Sequence, residues 1–459
     1  MTARCNSMWC KHGRGVLARL MLVACVLGVF FLREAVALEV DAPSPSARVG
    51  QLSLTSSNVR MRVDRGSAWE HAVLNTPVTT GTALATQIPG RTEVRVGSTA
   101  LRLGQESQVV WTEISDTRLH LEMINGLFSL RVRVLAPGES VQLKAGVVSV
   151  QVLKPGAYLF RYVTDRANLR VWVLEGQARV ALREQNLTLD TGQQMQVDRG
   201  IATQLSSSAD EHHASFVAFA DGRDRRTESS LSLMHVSREV TGAEDLDGHG
   251  NWRDEAGYGA VWFPNKLPLD WAPYRFGRWR WLAPWGWTWI DDAPWGFAPF
   301  HYGRWLFAGG RWGWVPSQPT AANAQSRPVY APALVGFFGN QAGAVWSSSV
   351  ASEPLVGWYP LAPGEIYWPA YSTQMAYVRA LNAASVSDVG QIQAAPAATA
   401  VGQPHRYSRT AFAASVIPFS AFSRMQGVAG SQIVLSPAAL AQAPLFGRRL
   451  PPPPPINAP

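Results

Sequence analysis

Residues 271–290 read WAPYRFGRWRWLAPWGWTWI, and residues 297–315 read FAPFHYGRWLFAGGRWGWV, two imperfect copies of one motif. Eleven of the nineteen tryptophans lie between Trp262 and Trp314. In Trp285-Gly286-Trp287-Thr288-Trp289 the aromatics alternate. On a strand that alternation places three indoles on one face over roughly 13 Å, at about 3.3 Å per residue. Arg278-Trp279-Arg280-Trp281 and Trp312-Gly313-Trp314 repeat the pattern, and Gly309-Gly310 supplies a tight turn between Trp305 and Trp312. The block therefore predicts a tandem pair of aromatic β-hairpins.

Two uses of these rings compete. Each indole removes roughly 150–250 Å² from water when buried, so the rings can form the core of a small sheet. The alternative is an exposed platform that stacks on glycan rings or cages a cation. The binding candidates are Trp279, Trp287, Trp305 and Trp312, with Arg278 and Arg304 at matching places in the two copies.

Upstream, the pattern from Val49 to Val197 is period two. Val148, Val150 and Val152 alternate with Ser149 and Gln151, and Leu169, Val171 and Val173 alternate with Arg170 and Trp172. Turn pairs recur at Pro89-Gly90, Pro137-Gly138, Pro155-Gly156, Glu175-Gly176 and Thr191-Gly192. Many short strands at this spacing predict an antiparallel sandwich or barrel. Ser208-Ala209-Asp210-Glu211 has the form of a capping box, and the charged run after it, with Phe216 and Phe219 on one side, predicts a helix. Beyond Asn382 the chain turns to Ala, Ser, Pro and Gln and ends near the polyproline run Pro451–Pro455. This composition predicts a mostly disordered tail, with SVIPFSAF from Ser415 as an island able to dock back. The fold class is mainly β. The expected organisation is a leader over 1–37, a β domain over 45–205, a helical linker over 208–240, a Trp-rich β-repeat domain over 241–380 and a tail over 381–459.

The N-terminus sets the expected compartment. Lys11, Arg14 and Arg19 precede an apolar run of about 13 residues, too short for a bilayer that needs about 20, and Ala35-Val36-Ala37 supplies a small-residue cleavage site. Cleavage after Ala37 and a periplasmic or secreted location follow. Leu22-Val23-Ala24-Cys25 is an alternative lipobox, with Cys25 as the lipidated residue. Cys5, Cys10 and Cys25 all lie in the segment expected to be removed, which excludes disulfides and thiolate chemistry from the mature chain. Loss of five cations against one acid also lowers the formal charge from +8 to +4. Such a balance argues against nucleic acid as a partner.

No nucleophile elbow, P-loop or dinucleotide fingerprint occurs, so neither catalytic residues nor a cofactor is assigned. Asp245-Leu246-Asp247-Gly248-His249-Gly250 resembles the start of a calcium loop, but His249 and Ala256 stand where oxygen donors are required. A turn with Asp side chains on backbone amides is expected there, and no metal. Adjacent Asp291 and Asp292 point to opposite faces of a strand, which disfavours a catalytic pair and favours an Asp-rich turn. His212-His213 has no third ligand at helical spacing and is expected on the solvated surface.

Three phrases carry a family resemblance: NTPVTTGTALATQIPGRTEVRVGSTALRLGQESQV from Asn75, HLEMINGLFSLRV from His120 and LRVWVLEGQARV from Leu169. The segment resembles the FecR-type domain of bacterial envelope proteins, with Val96-Gly97-Ser98 where the family usually has Asp-Gly-Ser. Members that regulate iron uptake carry a cytoplasmic segment and a membrane span ahead of this domain; neither is read here. Residues 234–377 resemble the Trp-rich region found beside FecR-type domains in some exported proteobacterial proteins, and the GRW/RWGW spacing is faintly similar to choline-binding repeats. The resemblance implies the architecture and leaves the activity open. With no catalytic motif and a Trp-rich repeat, the leading expectation is an exported, non-enzymatic envelope scaffold or binding module, with an envelope glycan such as peptidoglycan, or another envelope protein, as partner. Two alternatives stand beside it: a carbohydrate-active enzyme or accessory using Asp291, Asp292 or Glu365, and a FecR-like signalling partner of a membrane regulator.

Overall fold

The structure, a computed structural model, describes residues 44–205, 213–316, 327–338, 353–386, 392, 405–443, 445–446 and 450–454. The expected leader with its cleavage site after Ala37, Cys25, the capping box at 208–211 and His212 lie outside the described residues.

Fifteen strands follow one another from Gly50 to Leu205. They are β1 (Gly50–Leu54), β2 (Val59–Arg62), β3 (Glu70–His71), β4 (Pro77–Val78), β5 (Ala83–Thr86), β6 (Thr92–Val96), β7 (Thr99–Leu103), β8 (Gln108–Ile114), β9 (Arg118–Val132), β10 (Ser140–Ala145), β11 (Val148–Val163), β12 (Asn168–Leu182), β13 (Gln185–Asp190), β14 (Gln194–Asp198) and β15 (Ile201–Leu205). Their pairings make two layers. One runs β15-β14-β12-β11-β9-β7-β6-β1-β4, the other β13-β12-β11-β10-β9-β8-β5-β2-β3. Strands β9, β11 and β12 are long enough to belong to both. Between the layers lies an aliphatic core that includes Leu121, Leu130, Val150, Val171 and Val180.

A strand can serve two layers only where it bends. In β12 the inward positions are Leu169, Val171 and Val173, then Ala178, Val180 and Leu182, so the alternation changes parity around Gly176. Gly176 has φ +96°, and a Cβ there would lie 2.4 Å from the Tyr158 hydroxyl. That buried hydroxyl accepts the Gln177 N–H at 3.1 Å and so occupies a backbone group that the bend takes out of the ladder. The parity of β9 changes in the same way at Gly126, from Leu121 and Met123 to Phe128 and Leu130.

The outer face of β6 and β7 carries Glu93, Arg95 and Arg102, all buried. Helix α1 (Ala214–Glu228) covers it, seated through Phe216 on Leu159 and Trp172 as its aromatic side predicts. Glu93 meets Arg102 Nε at 2.6 Å, Arg95 Nε at 3.0 Å and Arg223 Nη2 at 2.5 Å, while Asp224 receives Arg102 at 2.8 Å and Arg133 at 2.7 Å. Burial alone would raise the Glu93 carboxyl; the three guanidiniums outweigh it and hold the group well below the usual carboxylate range. His213, expected on the surface, instead sets its ring edge-on to Trp172 at 6.1 Å, because the helix start packs onto the sandwich.

Past the helix come β16 (Gly250–Glu255), β17 (Gly259–Pro264), β18 (Gly277–Leu282), β19 (Gly286–Asp291), α2 (Ala298–His301), β20 (Arg304–Ala308), β21 (Arg311–Val315), β22 (Val335–Phe338) and β23 (Leu355–Pro360). Then follow α3 (Met375–Asn382), β24 (Ser415–Pro418), α4 (Phe419–Ser423), α5 (Pro437–Gln442) and β25 (Leu445–Phe446). Both predicted hairpins form: β18-β19 stands as its own two-stranded sheet, and β20-β21 joins β17 and β16 in a four-stranded one. A further sheet has the order β24-β23-β22-β25. The SVIPFSAF segment docks as expected, and the docking extends further than composition suggests: the tail supplies both outer strands of that sheet, because Trp358, Phe337 and Phe422 share one apolar cluster.

The two halves meet through residues of the Asn75 phrase. Asn75 Nδ2 donates to the carbonyls of Asp291 at 3.0 Å and Ala293 at 2.7 Å, and its Oδ1 accepts from Gln51 at 3.0 Å. Gln51 also reaches Asp245, which pairs with Arg95 at 2.8 Å.

Candidate functional site

The hairpin tryptophans other than Trp281 are a core. Trp279, Trp287, Trp289 and Trp305 are each at most 1% exposed, and Trp312 is 5% exposed. Trp279 meets Trp289 at 5.5 Å and Trp358 at 5.3 Å, both edge-on, the arrangement favoured by ring quadrupoles. An exposed stacking platform on Trp279, Trp287, Trp305 and Trp312 is therefore corrected: neighbouring sheets and the docked tail cover those faces. The stripe is also shorter than the alternation predicts. Strand β19 starts at Gly286, so Trp285 sits in the turn and packs on Tyr330 at 5.4 Å rather than beside Trp287.

The two arginines at matching places diverge. Arg278 is half-exposed and pairs with Asp292 at 3.3 Å. Arg304 is buried, donating to the Glu365 carbonyl at 3.1 Å and to Asn382 Oδ1 at 2.8 Å. Burial lowers its pKa to about 10, against the pull of Tyr274 and Glu365. It is corrected from a binding residue to an internal clamp on α3 and the Glu365 turn.

What remains open is a cleft around the β17–β18 loop, Asn265–Phe276. Prolines at 268 and 273 keep this loop out of a ladder. Tyr274 pins it from below, its hydroxyl donating to the Phe300 carbonyl at 2.9 Å and accepting the Leu334 N–H at 3.1 Å. Arg275 pins it to the tail, donating to the Ala414 carbonyl at 2.7 Å and the Phe412 carbonyl at 3.0 Å. Two adjoining cavities share Lys266, Leu267, Pro268 and Trp271. One, of about 490 Å³, is walled by His249, Asn265, Phe276, Asp291 and Trp295. The other, of about 470 Å³, is walled by Asp270, Phe307, Arg311, Trp312 and Phe412. Aromatic side chains line both cavities, and the cations Lys266 and Arg311 and the carboxylate of Asp270 are exposed among their walls.

Asp291 forms the expected Asp turn: its carboxyl accepts the Ala293 N–H and the Trp289 indole N–H, each at 3.0 Å. Burial pushes its pKa well above the ordinary value, the two donors pulling the other way. Asp292 faces Arg278, and Glu365 accepts the Ala362 N–H at 2.7 Å, so the three carboxylates named as catalytic alternatives do not line one cavity. Asp247 binds backbone amides as expected, though those of Leu231 and Ser232 rather than of its own turn. Among the described residues no cluster of three or more His, Cys, Asp or Glu is placed to hold a metal, and no helix is long and apolar enough to cross a membrane.

A family described as "Family of unknown function (DUF6600)" matches residues 243–365. That span holds both hairpins and most of the cleft. No curated protein matches the chain. Among solved structures, two crystal structures described as a candidate anti-sigma factor from Parabacteroides distasonis ATCC 8503 are similar to part of it. One has 19% identity over 24% of this chain and 52% of that one, with a TM-score of 0.22. The other has 17% identity over 28% and 60%, with a TM-score of 0.26. This chain thus spans about half to three-fifths of their lengths.

The cleft was not visible in the sequence. Its rim comes from a proline-rich connection, a hairpin turn and the tail, three segments far apart in the chain. The run Pro264-Asn265-Lys266-Leu267-Pro268, with one of only four lysines, is a signal that could have marked part of it.

Proposed function

We propose that the chain is a non-enzymatic scaffold and binding module of the cell envelope, and that the cleft around Trp271 receives an envelope glycan. The observation that carries this is the aromatic lining of two adjoining cavities together with the exposed cations Lys266 and Arg311. Ring edges and faces suit the apolar C–H faces of sugars, and cations suit the carboxylates of an anionic polymer such as peptidoglycan. The leader-like N-terminus and the FecR-type resemblance support an envelope location. The buried charge network and the Asn75 contacts support a rigid frame that presents the cleft.

The test is sedimentation with purified peptidoglycan, followed by tryptophan fluorescence and by assay of released sugar. Expected is co-sedimentation without sugar release, weakened about tenfold in Lys266→Ala/Arg311→Ala. Absence of binding, or binding indifferent to that double substitution, overturns the cleft as a glycan site. Sugar release that disappears in Asp291→Asn establishes the carbohydrate-active alternative instead.

A further inference from the structure

The hairpin β18-β19 has a second face at its turn, away from the Trp271 cleft. Trp281 and Trp287 are cross-strand partners, their rings 5.5 Å apart and nearly perpendicular. Trp281 is 37% exposed and Trp287 is covered. What covers Trp287 includes the end of the chain: its indole N–H donates to the carbonyls of Pro451 at 3.1 Å and Pro452 at 3.0 Å. Leu450 packs in the angle of the pair, where a Cβ on Gly286 would lie 3.3 Å from its Cδ1 and 3.2 Å from the Trp281 ring. Pro451 is buried, whereas Pro452 and Pro453 are exposed.

The chemistry of this contact is general. A buried indole N–H needs an acceptor, and prolyl carbonyls are well-placed ones, since a polyproline II chain has no internal hydrogen bonds and presents its carbonyls outward. The segment is already extended, so docking orders little that is not ordered beforehand. Only an apolar residue, a proline ring and two carbonyls are read. Nothing in the contact demands that the segment belong to this molecule.

We propose that Trp281, Gly286 and Trp287 form a receptor for a polyproline II segment of the Leu-Pro-Pro type supplied by another polypeptide, and that the chain's own Leu450–Pro454 occupies it in cis until such a partner displaces it. This goes beyond the glycan cleft and stands without it. The cis segment acts as a tethered competitor, present at high effective concentration and lowering the apparent affinity of any free proline-rich segment.

The full chain and its Pro451→Gly/Pro452→Gly variant are titrated with the peptide acetyl-Leu-Pro-Pro-Pro-Pro-Pro-amide, following the Trp287 indole proton by NMR. Expected is a shift of that proton in the glycine variant, its return on adding peptide, and binding at least about tenfold tighter than by the parent. Adding Trp281→Ala, at a half-exposed ring, to the glycine variant weakens the peptide about tenfold. An indole proton unmoved by the glycine substitutions, or equal peptide affinity in parent and variant, overturns the receptor. Unchanged near-ultraviolet circular dichroism in the glycine variant separates loss of docking from loss of fold.

Discussion

The sandwich from Gly50 to Leu205 closes over leucine, valine and methionine, with Trp111, Phe128 and Phe160 among its few large rings, whereas the region beyond Gly250 closes over indoles. The difference follows from sheet size. Two broad layers facing each other at about 10 Å can be filled by one modest side chain at every second position. Small sheets of two and four strands cannot enclose a core that way, and rings that reach across several neighbours close it with fewer residues. With Cys5, Cys10 and Cys25 all ahead of the described residues, no described segment is joined by a disulfide, and the indoles are what hold these small sheets together.

The sharpest way to break the comparison is Trp289→Ala, which removes a buried ring and the donor to Asp291. It is expected to cost about 3–5 kcal/mol. Thermal melts should show near-ultraviolet tryptophan signal lost before the far-ultraviolet β signal of the sandwich; simultaneous loss would mean that the two regions unfold as one unit. Next is Glu93→Gln, which leaves Arg95, Arg102 and Arg223 facing one another without their shared carboxylate. A loss of about 3 kcal/mol in urea unfolding is expected, and a loss near zero would show the network to be dispensable. Gly176→Ala tests the bend, where φ is +96° and Tyr158 stands in the way; a loss of about 2 kcal/mol is expected, against a gain of up to about 1 kcal/mol at Gly222→Ala, inside α1, where a Cβ meets no atom within 4 Å. Asn75→Ala leaves two carbonyls at the junction without their donor and is expected to cost about 1–2 kcal/mol.

Acid sharpens the contrast most gently. The folded pKa of Glu93 is held low, so its contribution is full above the ordinary carboxylate range and is lost as pH falls through the lowered value. For Asp291 the folded pKa is raised, so its contribution is full below the ordinary aspartate range and is lost as pH rises through the raised value. Mild acid should therefore favour the aromatic region while stronger acid loosens the helix-covered face of the sandwich. Melting followed by both signals across pH checks the opposite signs, and Glu93→Gln and Asp291→Asn should each flatten one of them.

The period-two runs were enough to reveal the strands of the sandwich, and Gly309-Gly310 the second hairpin, because local alternation and turn chemistry act within a few residues. The sharing of β9, β11 and β12 between layers was not readable, since a parity change at Gly126 or Gly176 looks like an ordinary turn until the partner strands are known. Nothing in the local pattern marks Glu93, Arg95 and Arg102 as buried; α1 and the segment around Asp245, both well over a hundred residues along the chain from Glu93, supply the partners that close over them. The same long-range closure hid the cleft and misassigned Arg304. Composition described the tail as unstructured because low hydrophobicity is an average, and the few residues that dock, Val416, Ile417 and Phe422, are diluted by the alanines and prolines around them.

The sheet of order β24-β23-β22-β25 also carries a schedule. Its inner pair exists once residue 360 has appeared, but both flanks wait for residues 415–446. Until then β22 and β23 offer open edges to any passing strand. A chain made or threaded from its N-terminus thus has its sandwich complete early and its aromatic region last, so shielding those two edges during that interval falls to whatever handles the emerging chain.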